Sequence, residues 1–185
     1  MIPIGQEITS YKHISHNIMV SFSVEECNRI IELSKIFKPE HSSKLFKRKD
    51  FNYYYHIILR REDTQWIFDR LTEFLLTEYP KNRVHLMHEI YLHRYLIGNE
   101  FAKHNDSTNH PDQILNIGVC LNENYEGGEF IAYSPLETLP KITGTIYTMK
   151  SDREHEVKKI SNGERWSLIL FLNKHNLQIA NSKFL

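Results

Sequence analysis

Apolar positions recur along this chain first at helical and then at strand spacing. Ser23-Val24-Glu25-Glu26 has the form of a capping box, in which the serine hydroxyl accepts an early backbone N–H and the glutamate reaches back. Cys27, Ile30, Ile31 and Leu33, extended by Phe37, then trace one face of a helix that Pro39 ends. A second helix is predicted from Thr64 to Tyr79, with Trp66, Ile67, Phe68, Leu71, Phe74, Leu75 and Leu76 forming a broad core-facing stripe and Pro80 closing it. From Val84 onward the period shortens. Ile90 to Tyr95, Ile114 to Leu121, Glu129 to Tyr133, Gly144 to Met149, Glu154 to Ile160 and Arg165 to Leu172 read as strands. Turn chemistry separates them at Asn124–Gly128, Ser134-Pro135, Lys150–Asp152 and Ser161–Gly163. Many short strands preceded by two helices predict an α+β protein. Its strands form a sandwich or jelly roll, and the two N-terminal helices pack on one sheet.

Composition narrows the class without naming an activity. A chain of 185 residues is expected to form one domain spanning 1–185. The hydrophobic share of 41% and charged share of 25% are ordinary for a globular protein, and seven Gly and six Pro exclude collagen-like or linker-rich architectures. Lys+Arg and Asp+Glu balance at 23 each, so no whole-molecule field draws the chain to nucleic acid or an anionic membrane. Cys27 and Cys120 make neither a disulfide framework nor a zinc spacing. The longest purely apolar run, Leu168 to Leu172, falls far short of the ~20 residues that span a bilayer. Met1 to Glu7 lacks the basic start and apolar stretch of a signal peptide. A reducing, cytoplasmic setting is the expectation.

Against this background, 11 histidines invite the question of which are placed for chemistry. In His104-Asn105-Asp106, a strand would project residues i and i+2 from the same face, bringing an imidazole and a carboxylate to one point. Such a pair suits a divalent metal such as iron(II). His110-Pro111-Asp112 offers the same spacing immediately downstream. His155 could add a second imidazole from another strand, and two His with one carboxylate leave the far side of a metal open. On the strand Arg165 to Leu172, Arg165, Ser167, Ile169 and Phe171 share one face, while Trp166, Leu168, Leu170 and Leu172 share the other. An arginine on an apolar inner face is costly without an anionic partner. Its planar fork matches a carboxylate, with the Ser167 hydroxyl as a further donor.

Several motifs occur together. They are Tyr95-Leu96-Ile97-Gly98-Asn99-Glu100-Phe101-Ala102-Lys103-His104-Asn105-Asp106, Leu121-Asn122-Glu123-Asn124-Tyr125-Glu126-Gly127-Gly128-Glu129-Phe130, Gly144, His155-Glu156-Val157 and Gly163-Glu164-Arg165-Trp166-Ser167. In order and spacing they resemble a prolyl-4-hydroxylase-type 2-oxoglutarate/Fe(II) dioxygenase over residues 90–173, and a looser likeness reaches back to the helix at Ser23. The resemblance implies a double-stranded β-helix (jelly-roll) core with one Fe(II) held by His104, Asp106 and His155. It further implies Arg165 on the distal carboxylate of 2-oxoglutarate, Ser167 as a supporting hydroxyl, and Tyr95 lining the cosubstrate pocket. The family register favours the first triplet: the tyrosine–glycine–aromatic lead-in precedes His104, His110 would leave too short a connection, and Pro111 would remove a ladder donor.

The implied activity is hydroxylation of an unactivated C–H, coupled to decarboxylation of 2-oxoglutarate to succinate and CO2. Ascorbate is a further cofactor that such a centre can use. No protein acid or base is required beyond the ligands. A prolyl side chain in a peptide or protein is the expected substrate; a free amino acid or other small molecule is the alternative, and a ligand-binding jelly roll without turnover is the non-enzyme reading. Two positions depart from parts of the family: collagen-type relatives carry lysine where Arg165 stands, and some oxygen-sensing relatives carry a cosubstrate-binding tyrosine where Cys120 stands. His41 to Arg61, with Lys44, Lys47, Arg48, Lys49, Arg60 and Arg61 among Phe46, Phe51 and Tyr53–Tyr55, is read as a flap over the iron or as a basic loop leading into an aromatic strand. Basic residues among aromatics also suit nucleic acid, which the neutral chain disfavours. His85, His88 and His93 lack zincin spacing and are read as structural or surface.

Overall fold

Ser23 caps a helix as its spacing predicts. In the computed structural model, which describes residues 22–41, 51–80, 82–86 and 88–179, Ser23 Oγ accepts the Glu26 N–H at 3.2 Å. The Ser23 N–H in turn donates to Glu26 Oε2 at 2.8 Å. Helix α1 (Val24–Glu32) follows and tightens into a 3₁₀ turn at Leu33–Lys35. Helix α2 (Gln65–Glu78) occupies the second predicted stretch. Arg70 of α2 pairs with Glu26 of α1 at 2.9 Å, fixing one helix against the other. Neither helix is long and apolar enough to cross a membrane.

The strands are β1 (Glu40–His41), β2 (Phe51–Asn52), β3 (Tyr54–Leu59), β4 (Asn82–Val84), β5 (Glu89–Tyr95), β6 (Glu100–His104), β7 (Gln113–Cys120), β8 (Tyr125–Gly127), β9 (Phe130–Ala132), β10 (Glu137–Thr138), β11 (Ile146–Lys150), β12 (His155–Val157), β13 (Ile160–Gly163), β14 (Arg165–Asn173) and β15 (Leu177–Ile179). A larger antiparallel sheet has the order β1-β3-β5-β14-β7-β11, and a smaller one the order β10-β9-β12-β6-β2. Two further two-stranded pairs are β13-β8 and β15-β4. This is the expected jelly roll with two helices on one sheet.

The larger sheet has two differently used faces because strand side chains alternate. Trp166, Leu168, Leu170 and Leu172 of β14 join Leu115, Ile117 and Val119 of β7 in a core with Cys27 and Ile30 of α1 and Ile67, Phe68, Leu71 and Leu75 of α2. The opposite face meets the smaller sheet. There Tyr53, Tyr55, Tyr95, Tyr147 and Met149 pack against Phe130, Ala132 and Val157. The second layer is aromatic and contains the polar residues that matter below.

Three local readings need correction. The predicted strand Glu154–Ile160 is two strands, β12 and β13, in different sheets. Ser161–Gly163, predicted as a turn, belongs to β13 and pairs with β8, itself inside the predicted turn Asn124–Gly128. Pairing between the two segments outweighs their turn-like composition, with Gly127 (φ +69°) supplying the bend. Asp106 does not lie on a strand: β6 ends at His104, and Asp106 sits in the bend beyond it. Of the stretch read as a flap, 42–50 lies outside the described residues. Its aromatic end forms β2, in the smaller sheet, and β3, in the larger.

Candidate metal centre and anion pocket

Strands β6 and β12 are antiparallel neighbours, and His104 and His155 are direct register partners. Their rings consequently lie 4.3 Å apart between centroids. Asp106 is brought to them by the backbone and not by strand alternation. Its N–H donates to the Ser151 carbonyl at 2.9 Å, which pins the bend after β6 to the turn between β11 and β12. The ligating atoms of His104, Asp106 and His155 all lie within 4.8 Å of one another.

The hydrogen bonds of the two imidazoles identify which nitrogen faces inward. His104 Nδ1 bonds the Ala102 carbonyl at 2.8 Å, and His155 Nδ1 bonds the Arg153 carbonyl at 3.0 Å. A carbonyl only accepts, so each Nδ1 must carry the proton. The Nε2 atoms face the Asp106 carboxylate at 3.4 Å and 3.5 Å. Burial, aided by the neighbouring His104, lowers His155 to about 4, so it is neutral at neutral pH. Burial alone would raise the Asp106 carboxyl, but the two imidazoles and Asn116 together hold it below the usual carboxylate range. Two imidazole nitrogens and one carboxylate within reach of one another fit a divalent ion, and ferrous iron suits that donor set.

Asn116 of β7 orients the carboxylate. Its Nδ2 donates to Asp106 Oδ2. Its own Oδ1 accepts from Gln113 Nε2 at 2.7 Å and from Ser151 Oγ at 2.8 Å, which fixes the amide orientation. The sequence reading missed Asn116. The available signal was a polar residue among Leu115, Ile117 and Val119 in a buried strand.

Asp106 and His155 line a pocket of about 430 Å³ of empty space, open mouth included, that Arg165 and Ser167 also line; along β14, Arg165 and Ser167 lie at the far end from Phe171, the register partner of Asn116. Arg165 opens β14 on the inner face and is only 5% exposed. Its Nη1 donates to Ser167 Oγ at 2.9 Å, and its guanidinium lies 5.2 Å from the centroid of the Tyr95 ring, its register partner on β5. Among the described residues no carboxylate pairs with it. Burying a guanidinium without an anion is unfavourable by several kcal/mol, so this end of the pocket suits a carboxylate.

The three residues expected to bind metal are thus together, and Tyr95, Arg165 and Ser167 are together at the other end of the same pocket. His110 and Asp112 are exposed, and Asp112 pairs with Lys174 at 3.6 Å. His85 and His88 are also exposed. His93, in contrast, lines the pocket, tilted against Tyr53 and edge-on to Tyr95; burial, with Arg165 adding, lowers it to about 3. Its neutral ring is a polar part of the wall that sequence spacing did not single out. Cys120 is occupied with the Asn122 carbonyl at 3.2 Å.

Residues 90–173, running from β5 to the end of β14, match the 2OG-Fe(II) oxygenase superfamily. No curated protein matches the chain. Among solved structures, a 2OG-Fe(II) oxygenase family oxidoreductase from Burkholderia pseudomallei is similar with a TM-score of 0.68 at 21% identity, covering 85% of this chain and 83% of that one. The viral collagen prolyl hydroxylase of Paramecium bursaria Chlorella virus-1, solved with 2OG, has a TM-score of 0.63 at 17% identity, covering 83% and 92%. A Trichoplax adhaerens prolyl hydroxylase, solved with a hypoxia inducible factor peptide fragment, has a TM-score of 0.63 at 14% identity, covering 88% and 84%.

Proposed function

With residues 90–173 belonging to the 2OG-Fe(II) oxygenase superfamily, we propose that this chain is one oxygenase domain over 1–185. In this reading it hydroxylates a prolyl side chain of a peptide or protein, using Fe(II) and 2-oxoglutarate, with ascorbate sustaining turnover. One observation carries the reading: Asp106 and His155 of the two-His, one-carboxylate cluster line the same pocket as a buried arginine that has no carboxylate partner among the described residues. Ferrous iron with 2-oxoglutarate and O2 supplies the chemistry, in which one oxygen atom enters the substrate C–H bond and the other enters succinate as CO2 leaves.

The chain's own residues bind, orient and exclude. His104 and His155 present Nε2 because their Nδ1–H groups are held by backbone carbonyls, and Asp106 contributes the anionic ligand. Arg165 and Ser167 take the distal carboxylate of the cosubstrate, and the Tyr95 ring flanks them. Phe130, stacked on His155 at 5.3 Å, and Phe101, 3.9 Å from His104, shield the ligands from water. The structural likeness to two prolyl hydroxylases, one solved with a peptide, supports a peptide or protein substrate. The free thiols of Cys27 and Cys120 support a reducing, cytoplasmic setting.

The test is oxygen-dependent release of succinate from 2-oxoglutarate with Fe(II), followed by a search for a +16 mass shift on proline-containing peptides against a panel of free amino acids. Succinate and a shifted peptide are expected. A shift confined to a free amino acid would replace the substrate class, and no succinate under any condition would leave a binding jelly roll. Asn116→Ala is expected to weaken metal binding roughly 10-fold, since outer partners of metal ligands typically contribute that much or more. Titration with Mn(II), followed by its spin-resonance signal, checks this; an unchanged affinity would remove Asn116 from the centre.

A further inference from the structure

One polar atom in the pocket remains unexplained by the packing around it. Tyr147 of β11 is 5% exposed, and its hydroxyl is buried without a hydrogen-bond partner among the described residues. An unpaired buried hydroxyl is unfavourable by about 1–3 kcal/mol, and a phenylalanine would fill the same space without that cost. The ring is nonetheless accommodated with care. Its register partner on β7 is Gly118, and a Cβ there would fall 1.9 Å from Tyr147 Cζ and 2.2 Å from its hydroxyl oxygen. Only glycine lets the phenol lie across β7, a known use of glycine inside strands. Phe130 packs against the ring at 5.1 Å, holding it from the smaller sheet. Tyr147 thereby lines the same pocket as Arg165, and burial raises its phenol while the Arg165 charge opposes that rise.

We infer that Tyr147 is a second anchor for the ligand carboxylate received by Arg165, donating its O–H from β11 while the guanidinium donates from β14. This rests on the reading of the pocket as a 2-oxoglutarate site and assigns cosubstrate specificity to a residue outside the Arg165–Ser167 pair. The absence of a protein partner for the hydroxyl then has a reason, because its acceptor arrives with the ligand.

The experiment is anaerobic calorimetry on the full chain loaded with Fe(II), titrated with 2-oxoglutarate and, separately, with 2-oxopentanoate, which lacks the distal carboxylate. Tyr147→Phe is expected to weaken 2-oxoglutarate roughly 10- to 100-fold, the usual contribution of a hydrogen bond to a charged group. It should change 2-oxopentanoate by less than about 2-fold, because the hydroxyl has nothing to donate to there. The unliganded variant should melt at or above the wild-type temperature, since it loses only an unpaired hydroxyl. Equal 2-oxoglutarate affinity in variant and wild type would overturn the inference. So would an equal loss for both ligands, which would assign the ring a packing role only, or a variant that fails to fold. If the wild type itself binds no 2-oxoglutarate, the cosubstrate reading fails first and the anchor with it.

Discussion

With Asp106 replaced by alanine, ferrous binding and turnover are expected to vanish together. Asp106 is the only carboxylate of the trio, and its two neighbours are imidazoles. Removing the charged partner from a largely buried cation site costs about 3–5 kcal/mol, which corresponds to roughly a hundred- to several-thousand-fold in affinity. The bend that carries Asp106 is held by its backbone N–H on Ser151, a bond that the substitution leaves in place. Asn116 keeps Gln113 and Ser151 as partners, so the loss should fall on the metal and not on the fold. Anaerobic Fe(II) titration and succinate release measure the two effects. Asp112→Ala, at an exposed carboxylate paired with Lys174, should leave both unchanged. Wild-type metal affinity in the Asp106→Ala protein would remove this carboxylate from the centre.

The second large effect has opposite consequences for binding and for stability. Arg165→Met keeps most of the side-chain volume while removing a buried cation that has no carboxylate partner among the described residues. Replacing a buried charge by an apolar side chain of similar size is neutral or stabilising by about 1–4 kcal/mol. At about 2–4 °C per kcal/mol for a chain of this length, the unliganded protein should melt several degrees higher. The same change removes the charge that the ligand carboxylate pairs with, so 2-oxoglutarate affinity should fall on the order of a hundredfold or more. Metal binding should survive, because the trio sits at the other end of the pocket. Thermal melting of the apo chain and calorimetry of the Fe(II)-loaded chain separate the two effects. A stabilised protein that still binds 2-oxoglutarate normally would show that Arg165 is not its anchor.

The site was legible in the sequence to different depths, and β14 shows where legibility was greatest. Its alternation of Arg165, Ser167, Ile169 and Phe171 against Trp166, Leu168, Leu170 and Leu172 appears unchanged as pocket wall and core. The helix cap at Ser23 is equally local, a matter of four consecutive residues. The His-x-Asp pair is a different case. Strand alternation applied equally to His104/Asp106 and His110/Asp112, so it could not choose between them, and resemblance to a family had to. The structure brings His104 and Asp106 together for another reason, since Asp106 lies beyond the strand and its position is set by Ser151, 45 residues further along. His93 lacks metal-site spacing and reads as structural or surface, while Asn116 and Tyr147 look like ordinary strand residues within their own segments.

By itself the sequence determined the two helices, the long strands β5, β7, β11 and β14, which face of β14 turns inward, and that this inner face carries an arginine. These properties follow from the two-residue and 3.6-residue periods of the backbone, which any short window of sequence contains. Only the tertiary structure decided that His104 faces His155, that the Tyr147 ring crosses at Gly118, and that Asn116 meets Asp106. Those meetings depend on the register between strands far apart in the chain. Register is set by the sum of many hydrogen bonds and packed side chains, and no single segment encodes it.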